Sequence, residues 1–347
     1  MLCEGLRDAG HDVDLFAAAG SNDSSLTAIC AAPYDRILPW TVYRGTPELA
    51  AYQRDAFERV LFSVGAGEYD VVHNNSLFPE IIEWCRVAGI ACVTSQHVPP
   101  FGGMTLAVQQ ARGSSHAGFT VTSDDQANLW KAQGCDNLKV VPNGVDTRFW
   151  RPLGRPEDYL TWVGRIVPNK GLAETVRAAR IAKVQLKIFG PIEDAGYFAS
   201  EVEPFLRDGI EFHGHRPMET LTRAVSRAKA ALVTPLWDEP FGLVAAEALA
   251  CGTPVIGFDR GALSEVVGDC GILVKAGDVG ALAEAINSAG KIDRAACRKR
   301  AVDKFSVAAM IGGYERCYEA AIAGARQASL PRLAWSSSCS STTALLA

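Results

Sequence analysis

The feature that most limits what this chain can fold into is an alternation, sustained almost end to end, of short apolar runs and longer stretches of helical period. Runs at 13–18, 70–73, 90–94, 119–122, 139–142, 159–163, 184–189, 230–234, 254–257 and 271–274 are four to six residues long and largely apolar throughout. Such unbroken runs suit strands covered on both faces, as in parallel sheets. Between them, windows at 48–64, 78–87, 172–182, 218–227 and 279–288 repeat their apolar residues about every 3.6 positions, as amphipathic helices do. Strand, helix, strand, repeated, gives an α/β chain of parallel sheets with right-handed crossovers. Ten strands overfill one doubly wound sheet, so the 347 residues divide into two domains. The clearest seam is Trp150-Arg151-Pro152-Leu153-Gly154-Arg155-Pro156, where two prolines and a glycine interrupt both periods.

Composition narrows the function. With 48% hydrophobic and 21% charged residues the chain has a globular balance, and no run of about 18 apolar residues suggests a spanning helix. The first residues, Met1-Leu2-Cys3-Glu4-Gly5-Leu6-Arg7, lack the apolar core of a secretory signal. A net charge of −5 argues against nucleic acid as the main partner. None of the ten cysteines forms a C-x-x-C pair, which speaks against a zinc ribbon or thioredoxin-like site and for a reduced, cytoplasmic compartment.

The charge is unevenly divided. Residues 1–150 hold 10 basic and 17 acidic side chains, and the remainder 24 and 22, so an anionic ligand is sought in the second half. There, Gly164-Arg165-Ile166-Val167-Pro168-Asn169-Lys170-Gly171 directly follows one strand and opens a helix. Ligands of open α/β sheets sit outside the carboxyl ends of strands, where glycine lets backbone approach and helix N–H groups face an anion. Arg165 offers a planar fork for phosphate oxygens and Lys170 a point charge. Taken alone, this turn also reads as a solvated basic loop.

A second stretch, Asp238-Glu239-Pro240-Phe241-Gly242-Leu243-Val244-Ala245-Ala246-Glu247, runs from a strand end through a loop into a helix. Leu243, Ala246, Glu247 and Ala250 share the packing face, so Glu247 is an acid inside an apolar stripe. A buried carboxylate needs donors. A sugar diol would supply them, and an arginine partner is the competing reading. Glu239 lies in the loop, free to reach the same crevice, and the N–H groups of Gly242, Leu243 and Val244 face out of the helix start toward a second phosphate.

Glu239 and Glu247 with Phe241-Gly242 between them, together with Gly164-Arg165 and Lys170-Gly171, resemble the retaining glycosyltransferases of family four. Val141-Pro142-Asn143-Gly144-Val145-Asp146, Phe189-Gly190-Pro191, Ile210-Glu211-Phe212-His213-Gly214 and Gly261-Ala262-Leu263-Ser264-Glu265-Val266 extend the resemblance over roughly residues 2–325. It implies the glycosyltransferase B fold, two Rossmann-like doubly wound parallel-sheet domains facing a cleft. It also implies metal-independent transfer of a sugar from a nucleotide donor, a UDP- or GDP-sugar, with no cofactor. Arg165 and Lys170 would hold the diphosphate, Glu239 the sugar hydroxyls and Glu247 the ribose. The backbone at Phe241, Gly242, Leu243 and Val244 would touch sugar and phosphate, and His213 and His215 would lie beside the nucleobase. His97, after a first-domain strand, would orient or polarise the donor sugar. His73 reads equally as an acceptor-side group or a structural one. The acceptor, of carbohydrate, lipid-linked or small-molecule type, would meet loops at 38–46 and 99–112. A peripheral place at the inner membrane face fits the family, although the acidic first half weighs against it.

The chain departs from the family at its start. Residues 1–13 match the end of the family's first helix and its second strand, with the central first strand and its glycine-rich loop absent. The expectations are therefore an incomplete first domain at 1–150, a donor domain at 151–305, a helix at 306–325 crossing back, and a disordered serine- and threonine-rich tail at 326–347. On that view Met1 is internal to a longer reading frame, or the sheet is left with unpaired ladder groups. The second reading of function is then a catalytically inactive binding or scaffold protein; an epimerase or phosphorylase of the same fold fits the Glu239–Glu247 spacing less well.

Overall fold

The computed structural model describes residues 1–43, 45–66, 69–328 and 342–346. They form two compact units, one from within 1–122, 127–141 and 311–347, the other from 123–126 and 142–310. Each is built on its own parallel sheet.

In the first unit the strands are β1 (Asp12–Ala18), β2 (Leu26–Cys30), β3 (Val71–Asn74), β4 (Cys92–Gln96), β5 (Ala117–Val121), β6 (Leu138–Val140) and a C-terminal strand, Thr342–Leu346. Their order is β2-β1, then the C-terminal strand, then β3-β4-β5-β6. Every residue of β3 and β4 is buried, including the polar His73, Asn74, Thr94, Ser95 and Gln96. The long helix Pro47–Ala66 and the helix Glu80–Ala88 cover one face. There Phe57, Val60, Phe78 and Ile81 pack with Phe16, Val72 and Ala344. Phe57 and Phe78 stack with ring centroids 4.8 Å apart.

The second unit carries β7 (Tyr159–Val163), β8 (Gln185–Phe189), β9 (Ile210–Gly214), β10 (Ala230–Val233), β11 (Val255–Phe258) and β12 (Gly271–Val274). Their order is β12-β11-β10-β7-β8-β9. Leu160, Trp162, Leu186, Ile188, Leu232 and Ile256 join the helices Leu172–Ala182 and Val279–Ser288 in one apolar layer. A second layer holds Phe241, Ala245, Ala246, Leu249 and Phe305. Arg298 fastens this layer by donating to the carbonyls of Thr147, Trp150 and Ala250, the last at the C-terminal end of a helix, where a cation is favoured.

The helix Val307–Gln327 counts with the first unit from Ile311 onward. Tyr318 sits 2.5 Å from His73 Nδ1, and Ser95 donates to the Tyr314 hydroxyl oxygen at 3.2 Å. Ser115 donates to the Gly324 carbonyl at 3.0 Å, and a Cβ at Gly324 would lie 1.8 Å from the Ser115 carbonyl oxygen, so helix and loop touch through backbone.

Two expectations are corrected. The tail 326–347 is not disordered where it is described: helix continues through Gln327, and Thr342–Leu346 is a strand; residues 329–341 and 347 lie outside the described residues. Nor is the centre of the first sheet left open, because Thr342–Leu346 pairs in parallel with β1 on one side and β3 on the other. The ladder groups expected to be orphaned therefore have partners. Of the two stretches expected as loops, 99–112 is mostly the helix Gly102–Gln110, and 38–46 contains the short helix Trp40–Tyr43.

Candidate functional site

Two loops at the carboxyl ends of neighbouring strands build the site in the second unit. The first follows β7 and carries Arg165 and Lys170; the second follows β10 and carries Trp237, Asp238 and Glu239. Thr234, 1% exposed, bolts them together. Its hydroxyl lies within hydrogen-bond distance of the carbonyls of Lys170 and Gly171, at 3.1 and 3.0 Å, and of the Thr175 hydroxyl at 2.7 Å, while the Trp162 indole N–H donates to it at 3.3 Å. Gly171 has φ +68°, and a Cβ there would stand 2.0 Å from the Thr234 carbonyl oxygen. Only glycine allows both that backbone conformation and that approach.

This junction brings Lys170 and Glu239 into contact. Lys170 Nζ donates to Glu239 Oε2 at 2.7 Å, with the side chains 22% and 17% exposed. The Trp237 indole N–H donates to the same oxygen at 3.0 Å, and the Lys170 ammonium lies 5.0 Å from the Trp237 ring centroid. Cation, carboxylate and aromatic face hold one another in place, a cation–π contact adding to the ion pair. Gly261, with φ +58°, packs so closely on Glu239 that a Cβ would come within 2.4 Å of its backbone nitrogen. Ala262 N–H donates to the Glu239 carbonyl at 2.9 Å, so the backbone of Glu239 is fixed from a third loop.

Arg165 is more exposed and pairs with Glu193 at 2.9 Å. The helix Leu243–Ala250 starts at Gly242, and no side chain caps it. The N–H groups at a helix start have no carbonyl one turn earlier, so those of Gly242, Leu243 and Val244 point out of its first turn. The side chain of Leu243 is 42% exposed, which corrects its expected place on the packing face; Ala246 and Ala250 are there and fully buried. Glu247 lies between them, and its carboxylate has no hydrogen bond or ion pair among the described residues. Burial alone pushes its carboxyl up to about 7. His213 stacks on Phe189 with centroids 5.0 Å apart and sits 3.0 Å from Glu211; His215 is exposed beyond the end of β9.

In the first unit, His97 follows β4 and its Nε2 lies 3.1 Å from Asn75 Oδ1. His73 is wholly buried, its two ring nitrogens engaged with Tyr318 and Ser95, which makes it structural. Beside His97, the buried amide of Gln96 has neither atom hydrogen-bonded.

Sequence reasoning singled out Lys170 and Glu239 but not their pairing, and it missed Trp237, Thr234, Glu193 and Gln96. A tryptophan two residues before a loop glutamate was the available signal for Trp237. Thr234, a polar residue closing an apolar strand, was the signal for the junction.

Residues 148–303 match the family model for glycosyl transferases group 1, and residues 1–149 that for Glycosyltransferase Family 4. Alpha-maltose-1-phosphate synthase of Mycolicibacterium smegmatis is 34% identical over 42% of this chain and 43% of its own length, so the chain spans less than half of that relative. AviGT4, a glycosyltransferase involved in avilamycin A biosynthesis, aligns at 26% identity and a TM-score of 0.68, covering 93% of this chain and 88% of that one. Anabaena Alr3699/HepE in complex with UDP-glucose aligns at 16% identity and a TM-score of 0.64, over 92% and 100% of the two chains, a likeness of fold. With its two parallel-sheet Rossmann-like domains and the two family matches that between them take in residues 1–303, the chain belongs to the glycosyltransferases of the B fold that resemble family four.

Proposed function

We propose that this chain transfers a glycosyl group from a nucleotide sugar, UDP- or GDP-linked, to an acceptor hydroxyl, with retention at the anomeric carbon and without a metal. The observation that carries it is Glu247: a partly buried carboxylate with no protein donor among the described residues, one turn inside a helix whose first N–H groups are open. An ordinary structural acid would have a partner. A ribose diol would supply two hydrogen bonds here, and the adjacent N–H groups suit the phosphates joined to that ribose. HepE, a protein of the same fold, has been captured with UDP-glucose.

In this reading the donor diphosphate takes over Lys170 from Glu239, and Arg165 from Glu193. Glu239, released and still held by the Trp237 indole N–H, turns to the sugar hydroxyls. The C1–O bond to the diphosphate breaks, the acceptor oxygen bonds to C1 on the same face, and the acceptor proton passes to the leaving phosphate oxygen. Lys170, Arg165 and the open N–H groups at Gly242, Leu243 and Val244 stabilise the charge that develops on the diphosphate, which is the step such donors accelerate most. The His213 ring, already stacked on Phe189, offers a flat face to the nucleobase, with His215 at its edge. His97 orients the transferred sugar.

The experiment is a melting-temperature panel of UDP-, GDP- and ADP-sugars, with the anomer of the product read by NMR. A ligand at 100 times its Kd adds about 2.7 kcal/mol of stability. Stabilisation by one base in the native protein that is weakened in Glu247→Gln supports the reading; no shift with any nucleotide sugar sinks it.

A further inference from the structure

The first sheet is completed in an unusual way. Its central strand comes from the far end of the sequence: Asp12 to Phe16 of β1 pair in register with Thr342 to Leu346, and Thr343 to Leu346 pair in register with Val71 to Asn74 of β3. Ala344 is 0% and Leu345 2% exposed. Ala344 enters the same apolar cluster as Phe16, Val72 and Phe78. Successive strand side chains point to opposite faces, so Leu345 fills the other side.

Without this segment β1 and β3 would face each other across an empty slot one strand wide. Such a slot presents two rows of unpaired N–H and C=O groups, and β3 is buried along its whole length, so water could not satisfy them cheaply. The slot therefore selects a short parallel strand with a small residue at its second buried-facing position, where helices Pro47–Ala66 and Glu80–Ala88 press down on the sheet. Thr343-Ala344-Leu345-Leu346 meets that description, and the neighbouring Ser336-Ser337-Ser338 does not.

Five residues make a weak ligand by themselves. What holds them is their covalent link to the helix Val307–Gln327, which is itself anchored in the same unit by Tyr314, Tyr318 and Gly324. A tether of this kind acts as a local concentration on the order of millimolar.

We propose that the slot between β1 and β3 is a strand-accepting site, occupied in cis by residues 342–346 as an exchangeable strand, and able to take a free peptide of the same sequence when that segment is removed. The proposal is independent of the donor chemistry above, because it concerns how the first unit completes its sheet.

The test has two arms. In the full chain, hydrogen exchange should show the amides at 344 and 345 protected at least about 100-fold over a free peptide of the same sequence, in step with those at 72–74. Exchange at the free-peptide rate would overturn the proposal even if no variant folds. In the second arm, a chain ending at residue 341 should melt at least about 5 °C lower. An octapeptide of residues 340–347 should restore that loss with half-saturation at roughly millimolar concentration. The same peptide should leave the full chain unchanged, and a peptide with Ala344→Asp should fail on the truncated chain. Equal melting of the two chains, or equal rescue by the Asp peptide, refutes a shaped slot. A full-length chain that is dimeric in solution and becomes monomeric on truncation would place the strand in a second copy and overturn its assignment in cis.

Discussion

His73 in the first unit and Glu247 in the second are both titratable groups withdrawn from water, the first wholly and the second in part, and they are treated in opposite ways. The His73 ring has both nitrogens engaged, by Tyr318 and Ser95, and burial with the nearby His97 pushes it down to about 3. It stays neutral and ties three strands to the C-terminal helix through Ser95, Thr120 and Tyr314. Glu247 has no protein partner among the described residues, and burial pushes it up to about 7. A buried polar group whose partners are all in place is part of the scaffold; one that lacks them marks room for something else. The same criterion points within the first unit to Gln96, next to His97, and away from His73.

The contrast can be broken in four ways. The largest effect is expected at the Lys170–Glu239 ion pair. Lys170→Ala should cut turnover about 100–1000-fold, as losing one group that stabilises developing charge does. Its melting temperature should barely move, because a part-exposed pair contributes little to folding. A stability loss as large as the activity loss would recast Lys170 as structural.

Next, His73→Ala should destabilise the protein by about 2–4 kcal/mol, since it opens a cavity and strands the Tyr318 hydroxyl. Denaturant unfolding reads this directly. The sign of the pH effect also follows. A histidine with a depressed folded pKa contributes stability that is present above about pH 6.5 and drains away as pH falls toward 3, so the native protein should have an acid-sensitive limb that the variant lacks.

Glu247 should behave in the reverse sense. Its raised folded pKa contributes stability that is present below about pH 4.5 and is lost as pH rises through 7, by up to about 3 kcal/mol in the free protein. Glu247→Gln should abolish that alkaline limb, so the free variant should be the more stable protein at pH 8. Nucleotide binding, which favours the ionised acid, should weaken in the native protein below pH 7 and become flat in the variant; calorimetric titration at pH 6 and 8 checks both. The smallest change is expected for His97→Ala, about tenfold in kcat with little change in donor Kd, measured by steady-state kinetics against equilibrium binding.

Much of the second unit was legible because its strands announce themselves. Tyr159–Val163 is apolar but for Thr161 and Ala230–Val233 is apolar throughout, and Arg165, Lys170, Glu239 and Glu247 stand out as charges at strand ends or inside an apolar helix. β2 was missed because Leu26–Cys30 is a short edge strand with only Ile29 buried. The contact between Lys170 and Glu239 was invisible because it depends on Thr234 meeting Gly171 across 63 residues, and local pattern carries no such information. Thr342–Leu346 was read as tail because composition there is dominated by serine and threonine, whereas its placement is decided by an empty lane in a sheet hundreds of residues away.

That last strand has a consequence for how the protein is made. The middle of the first sheet leaves the ribosome roughly 270 residues after β3, a wait of about 14–54 s at ordinary elongation rates. Residues 142–310 are contiguous and complete by then, so the later-encoded half should reach its native state first. Nascent chains halted just short of residue 342 should resist protease in the second half while the first is still cut.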